Sequence, residues 1–482
     1  MADTDALRMV NYFPSTSSVD LRKGFRSHST GMGSAAVETV AEHVGATGTR
    51  TLIACANANI YDASTYSGTA TSLASGLSNN KWQTVNFRDA GGNSYLMMAN
   101  GGDVVKAFNG TVISNPAFTG VTLSNLIDVT TFKGRLYFVE KNSTSIWYGD
   151  IDASSGALTE LDVGSLFKRG GYLLTAASWT RDTGGGSQDL LALVSSQGDV
   201  LIYGGTDPGA TDWELVGRLY LPAPIGRRCM GNIGSELVIV TNQGLIPFSS
   251  IINVTPEKES NFVKLTDKIS SAFATASESY GSNFGWQFLP YFRGKMGIVN
   301  IPIIAGGQAE QAVVNTLTGA WSKFTGINAS SWCLFNDKPY FGGTDGKVYE
   351  FDYGYNDGGN EIPVQLKTAF NYLGDRQSLK KITLARVMAA AQGDISFTFN
   401  IDTDFQDRPL SDTISLTGSS GSDWDTSDWD TSSWDSGTVY SQDTYSVDGL
   451  GRCVAVRVQG NYRDLSHSIS AFHLVYEQGG FY

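Results

Sequence analysis

Leu190-Leu191-Ala192-Leu193-Val194, then Ser195-Ser196-Gln197-Gly198-Asp199, then Val200-Leu201-Ile202-Tyr203: two apolar runs are joined by a turn that contains a glycine. Each run is too short for a helix and is rich in residues that suit a pleated, buried surface. Gly198 supplies the positive φ that a tight hairpin requires. The stretch therefore predicts a β-hairpin, and the same arrangement recurs along the chain at intervals of roughly 40 to 60 residues. Six further pairs are Leu52–Cys55 with Asn59–Tyr61, Tyr95–Met98 with Asp103–Val105, Arg135–Val139 with Ser145–Tyr148, Leu237–Val240 with Gly244–Ile246, Met296–Val299 with Ala312–Val314, and Pro339–Phe341 with Gly346–Tyr349. One hairpin leaves its apolar face in water, whereas radially arranged sheets bury theirs against each other and leave only short edges. The spacing thus predicts an all-β protein with a β-propeller of six to eight blades over residues 46–355. Trp82, Trp147, Trp213, Trp286 and Trp321 recur beside these units and are expected to pack between blades.

The pattern stops at the turn-rich run Tyr353-Gly354-Tyr355-Asn356-Asp357-Gly358-Gly359-Asn360, read as a linker or domain edge. Beyond it, Gln365–Phe370, Ile395–Ile401, Cys453–Val458 and Ala471–Tyr476 alternate with period two, which predicts a β-sandwich platform domain over residues 356–482. Residues 1–45 lack a comparable run and are expected to form an N-terminal arm that gains order by docking on the C-terminal domain or on a neighbouring subunit.

Glycine is 55 of 482 residues and charged residues are only 17%. Many turns and few solvated helices follow. No run of about 18 apolar residues exists, so no membrane-spanning helix is expected. The acidic start Met1–Ala6 lacks the basic and then apolar pattern of an export signal, and the chain is expected to be made in the cytoplasm. A net charge of −13 opposes tight, charge-driven binding to nucleic acid. That charge is concentrated: residues 401–450 hold eleven aspartates against the single Arg408, a net −10. Inside this stretch lies a five-residue repeat, Asp423-Trp424-Asp425-Thr426-Ser427-Asp428-Trp429-Asp430-Thr431-Ser432-Ser433-Trp434-Asp435, which fits neither helix nor strand period and reads as a loop.

Catalytic chemistry leaves little trace. The four histidines, His28, His43, His467 and His473, form no metal-binding motif, although His467 and His473, six apart on an expected strand, would share a face. The cysteines, Cys55, Cys229, Cys333 and Cys453, lie too far apart for a CxxC motif and read as reduced, buried thiols. No G-x-S-x-G elbow or P-loop stands out, and Gly184-Gly185-Gly186 lacks the following helix that would let it cradle phosphate. The acidic loop offers oxygen ligands to Ca²⁺ but without EF-hand spacing, so a solvated loop or an assembly contact is the preferred reading. Neither an enzyme nor a cofactor or metal site is expected. The sialidase box S-x-D-x-G-x-T-W is absent.

Asn11-Tyr12-Phe13-Pro14 followed by Val19-Asp20-Leu21-Arg22-Lys23-Gly24-Phe25 resembles the start of the tail nozzle proteins of short-tailed phages, the tail tubular protein B type. Further similar segments are Ser165–Gly171, Trp179–Asp182, Gly205–Pro208, Gly226–Cys229, Asn315–Trp321, Lys367–Tyr372 and Val475–Gly480. The resemblance implies a structural virion protein: a homohexamer below the adaptor ring under the portal, with propellers outward and a channel for genome ejection. Its implied partners are other copies of itself, the tail adaptor ring, and tail fibres or a tail tip protein, while genome DNA transits without specific binding. No counterpart of a fin or gate insertion is matched. On this reading Arg22, Lys23, Trp424, Trp429 and Trp434 are expected at a subunit or adaptor interface, and Asp425, Asp430 and Asp435 face the channel. The rival expectation is a carbohydrate-binding propeller, a receptor-binding adhesin or a depolymerase, with exposed tryptophans stacking on sugars.

Overall fold

In the computed structural model, which describes residues 5–182, 187–252, 263–409, 412–416, 438–441 and 444–479, the regular structure is nearly all β-strand, and the longest helix is Ser270–Tyr280. No helix among the described residues is long and apolar enough to cross a membrane. The chain divides into two units, one built from residues 1–26, 312–327 and 351–482, the other from 27–311 and 328–350. The expected N-terminal arm of residues 1–45 therefore divides at Arg26. It is also not free of regular structure: Ala6–Val10, Tyr12–Pro14, Val19–Leu21, Phe25–Thr30 and Thr39–Val44 are strands. The first of these pairs antiparallel with Ile362–Thr368. A strand whose partner lies some 350 residues away shows only a few apolar positions of its own, and so leaves a weak local signal.

Five of the seven expected pairs form as adjacent strands in the larger unit; in the second, the partner of Ser94–Ala99 is Lys106–Phe108 rather than Asp103–Val105, and in the sixth the second strand, Ala309–Asn315, runs past the end of this unit at Gln311. In chain order the sheets begin at Thr39–Val44, Gln83–Arg88, Leu126–Phe132, Leu173–Asp182, Met230–Ile233, Gln287–Tyr291 and Ala329–Phe335. The first four are four-stranded antiparallel sheets. The last, with Lys338–Gly343 and Val348–Phe351, receives the early strand Phe25–Thr30 beside Val348–Phe351, with Gly68–Thr69 beyond it. Gly198 and Gly346 have φ of +87° and +75°, as the turns demand. At Gly198 a Cβ would also lie 2.1 Å from the Leu221 carbonyl oxygen, so two separate constraints select glycine there.

Neighbouring sheets share apolar cores. Ile53 of the first packs in one cluster with Trp82 and Met98 of the second; Met97 of the second with Leu136 and Phe138 of the third; Tyr137 of the third with Leu191 and Tyr203 of the fourth. The Trp179 ring lies edge-on to Phe248, 5.7 Å away, between the fourth and fifth. The fifth and sixth are tied by a hydrogen bond from Phe288 N–H to the Arg228 carbonyl oxygen (3.4 Å). Gln287 exchanges two hydrogen bonds with the Trp332 backbone, at 2.7 and 2.9 Å, between the sixth and seventh. Phe335, Tyr340 and Val348 of the seventh share a cluster with Leu52, Ala54 and Tyr61 of the first.

In the smaller unit two sheets face each other across one core. One runs Trp321–Phe324, Ala6–Val10, Ile362–Thr368, Val454–Tyr462, Ile395–Thr403, Asp412–Leu416. The other runs Tyr12–Pro14, Val19–Leu21, His467–Gln478, Lys380–Gln392, Thr438–Tyr440, with Thr444–Gly451 also paired to Lys380–Gln392. The small inner row Ala385, Ala389 and Ala391 is balanced in the same core by Tyr12, Phe397, Phe399 and Tyr462. His467 and His473 do not share a face. A register irregularity beside Ser470 adds one residue to that strand, so His467 is buried and His473 is exposed.

Candidate functional site

The segment Arg22-Lys23-Gly24-Phe25-Arg26 illustrates how the smaller unit handles charge. Arg22 is buried, not displayed at an interface as the sequence suggested. Its Nε donates to Asn11 Oδ1 (2.8 Å), one terminal nitrogen to the Lys23 carbonyl (2.9 Å) and Asp357 Oδ1 (2.8 Å), and the other to the Thr325 carbonyl (2.8 Å) and Asp357 Oδ2 (2.6 Å). All five donors of the guanidinium are thereby used. The turn-rich run expected as a linker is pinned here. Phe25 N–H donates to the Asn356 carbonyl oxygen (3.0 Å), Lys23 Nζ sits 4.0 Å from the centre of the Tyr355 ring, and the Arg26 guanidinium lies 3.7 Å from the centre of Tyr353. Gly24 makes this possible, since a Cβ there would fall 1.8 Å from the Asn356 carbonyl oxygen. Lys23 is half-buried against its ring.

The outer face of the Lys380–Gln392 sheet is the candidate assembly surface of this unit. A bulge between Ile382 and Leu384 shifts the alternation by one, so that Ile382 and Ala385 point inward and Leu384 is turned out. Leu384 stands opposite Val475, Met388 opposite Ala471, and Ala390 opposite Tyr440. Val475 and Tyr440 are 52% and 69% exposed. Arg386 and His473, paired in register, are the charge-bearing positions between them. The sequence showed this face only as period-two alternation. The expected contacts Trp424, Trp429 and Trp434 and the acidic Asp425, Asp430 and Asp435 lie outside the described residues.

The larger unit contains a different kind of site. A cavity of about 430 Å³ is lined by the first strand of every one of its seven sheets: Ala41, Thr84, Asp128, Ala176, Met230, Phe288 and Cys333 each contribute. Its wall is stapled by Arg228, whose Nε donates to Gln83 Oε1 (2.9 Å) while its terminal nitrogens donate to the Glu38 carbonyl (2.9 Å), Thr39 Oγ1 (2.8 Å) and the Trp82 carbonyl (2.8 Å). Burial draws this guanidinium down to about 10, which leaves it charged at neutral pH. Asp128 is buried as well. Desolvation pushes its carboxyl up to about 6, against hydrogen bonds from Thr175 Oγ1 (2.7 Å), Ala176 N–H (3.3 Å) and Val129 N–H (2.9 Å) and the nearby charge of Arg227. The sequence singled out Gly226-Arg227-Arg228-Cys229 only as a segment of resemblance; adjacent arginines in a weakly charged, acidic chain were the available signal.

The cysteine in this lining, Cys333, has its thiol raised by burial. Cys55 and Cys229 are buried, and desolvation raises both thiols, Cys229 to about 12, so neither supplies thiolate. No group of three or more His, Cys, Asp or Glu among the described residues is arranged to hold a metal ion. All seven described tryptophans are buried or half-buried, and Trp82, Trp147 and Trp213 pack in or against clusters shared by two sheets.

No protein-family model matches the chain, and no curated protein matches it. Among solved structures it is similar to YCF48 bound to a D1 peptide (TM-score 0.37, 11% identity, 67% of this chain and 93% of that one). It is also similar to BBS1N in complex with ARL6DN (TM-score 0.41, 10% identity, 68% and 97%) and to the computationally designed Ika8 protein (TM-score 0.34, 10% identity, 68% and 99%). At these TM-scores the likenesses carry no functional argument.

Proposed function

We propose that this chain is a structural subunit of a short-tailed phage virion that assembles as a homohexameric tail nozzle below the adaptor ring and conducts the genome during ejection. The fold reading that goes with it is a seven-bladed β-propeller, whose last blade is completed by the early strand Phe25–Thr30, together with a β-sandwich platform. In support of seven blades, each of the seven sheets shares a core, a ring contact or hydrogen bonds with the next, and the seventh shares a core with the first. The observation that carries the assembly is the outer platform face, where Leu384, Val475 and Tyr440 stay in water on an otherwise well-packed sheet. An apolar sheet face of this kind marks an interaction surface. The carbohydrate-stacking rival rests on exposed tryptophans, and the described tryptophans are buried or half-buried.

Electron microscopy of purified virions, with this protein labelled, tests the reading directly, alongside light scattering of the isolated protein. The expected results are label at the tail below the portal and a hexamer, disrupted in solution by Leu384→Lys combined with Val475→Lys. Label confined to fibres, or a monomer at every concentration that assembles no ring on the adaptor, refutes it.

A further inference from the structure

A second cavity of the larger unit, of about 530 Å³, shares Gln83, Arg227 and Arg228 with the first. Its charged lining is of one sign: Lys81, Lys141, Arg227 and Arg228, with no aspartate or glutamate. In a chain of net charge −13 with charged residues at only 17%, four converging cations are a marked local reversal. The carboxylates that approach them do so from outside the cavity lining. Glu38 lies 3.7 Å from Lys81, and Asp128 acts on Arg227 from the first cavity.

The four cations have distinct roles. Arg228 is engaged by Gln83, Thr39 and two backbone carbonyls, all neutral acceptors, so it contributes fixed positive charge. Lys81 and Arg228 both lie over the Phe284 ring, 4.8 and 5.0 Å from its centre, which holds them in place without neutralising them. Lys141 makes one long hydrogen bond, 3.5 Å, to the Gly101 carbonyl. Among the described residues, nothing accepts a hydrogen bond from the Arg227 guanidinium, although burial already lowers its pKa. Clustered like charges repel one another, and Arg227 and Arg228 also lose hydration by burial while the Lys81 side chain and Lys141 stay exposed. A ligand that brings negative charge and acceptor oxygens relieves both penalties, and the one-signed walls focus the field that draws it in.

We propose that this cavity is a binding site for a small polyanionic ligand that presents two or more carboxylate or phosphate groups, received by Arg227 and Lys141 against the fixed charges of Arg228 and Lys81. Arg227 is the donor best placed to give a bidentate contact, because its guanidinium is the one without protein acceptors. The site is separate from the outer platform face and does not depend on the nozzle reading.

Calorimetric titration of the full chain with tripolyphosphate, citrate and neutral maltotriose tests this. Expected is saturable binding of at least one anion, weakened as salt is raised, with no binding of maltotriose. Binding of tripolyphosphate alone assigns the natural ligand to phosphates, and binding of citrate alone assigns it to carboxylates. Arg227→Gln combined with Lys141→Gln should weaken binding by about tenfold or more while the melting temperature stays near that of the parent. Phe292→Ser, outside the cavity, should leave the affinity unchanged. Absence of heat with both anions, or the same affinity in the double variant, overturns the proposal.

Discussion

Asp357→Asn isolates one buried charge pair of the smaller unit. The substitution keeps the size of the side chain but removes the negative charge from a bidentate contact at 2.6 and 2.8 Å, and Arg22 remains with no side-chain exposure. Breaking one side of a buried pair costs about 3–5 kcal/mol, because the remaining ion keeps its desolvation penalty without its counter-charge. For a unit of this size each kcal/mol moves the melting temperature by roughly 2–4 °C, so the shift is about 6–20 °C downward by scanning calorimetry. Arg22→Met should be at least as damaging, since the Lys23 and Thr325 carbonyls also lose a donor and Asn11 Oδ1 keeps only the Thr325 N–H. Combining it with Asp357→Leu leaves neither ion stranded, so the double variant should lose at least about 1 kcal/mol less than the sum of the single losses. A shift below about 2 °C for Asp357→Asn, or single effects that simply add, refutes the view that charge pairing holds the Arg22 segment to the Tyr353–Asn360 turn.

Two buried titratable groups give opposite responses to acid. Asp128 has a folded pKa of about 6, above its ordinary value, so its ionisation opposes folding; acid favours the fold from about pH 6 down to about pH 4. Relative to the parent, Asp128→Asn should therefore gain roughly 3 kcal/mol between pH 4 and pH 7.5 in urea denaturation, and a pH-independent difference would contradict this. His467 is drawn down to about 4 by burial beside Tyr12, Phe397 and Tyr462, so its neutral form supports folding above pH 6.5 and that support fades as pH falls towards 4. Acidification across that window should cost the parent roughly 3 kcal/mol that His467→Phe does not lose; equal acid sensitivity of the two proteins would rule it out. Cys55 and Cys229 should react with iodoacetamide only after unfolding, as peptide mapping by mass spectrometry would reveal; rapid labelling of either in native protein would contradict their burial.

The hairpins were legible because everything that specifies them is local. In Leu190–Tyr203 the two apolar runs and the intervening glycine lie within fourteen residues, and the strands Ser187–Ser195 and Asp199–Gly204 form there. Period-two alternation likewise marked Ile395–Ile401 and Cys453–Val458. What alternation does not contain is an inserted residue. The bulge beside Ser470 separates His467 from His473, and the one beside Leu384 turns that side chain into water; both arise from pairing with a strand far off in sequence.

By itself, then, the sequence determined an all-β chain, the positions of six of its hairpins and the concentration of acid in residues 401–450, because turn chemistry, strand period and charge are properties of neighbours. Only the tertiary structure decided that Arg22 is buried rather than displayed, since its acceptors come from residues 11, 23, 325 and 357. It alone decided that Lys81, Lys141, Arg227 and Arg228 line one cavity, since they come from three separate stretches of chain, and no local pattern encodes convergence in space.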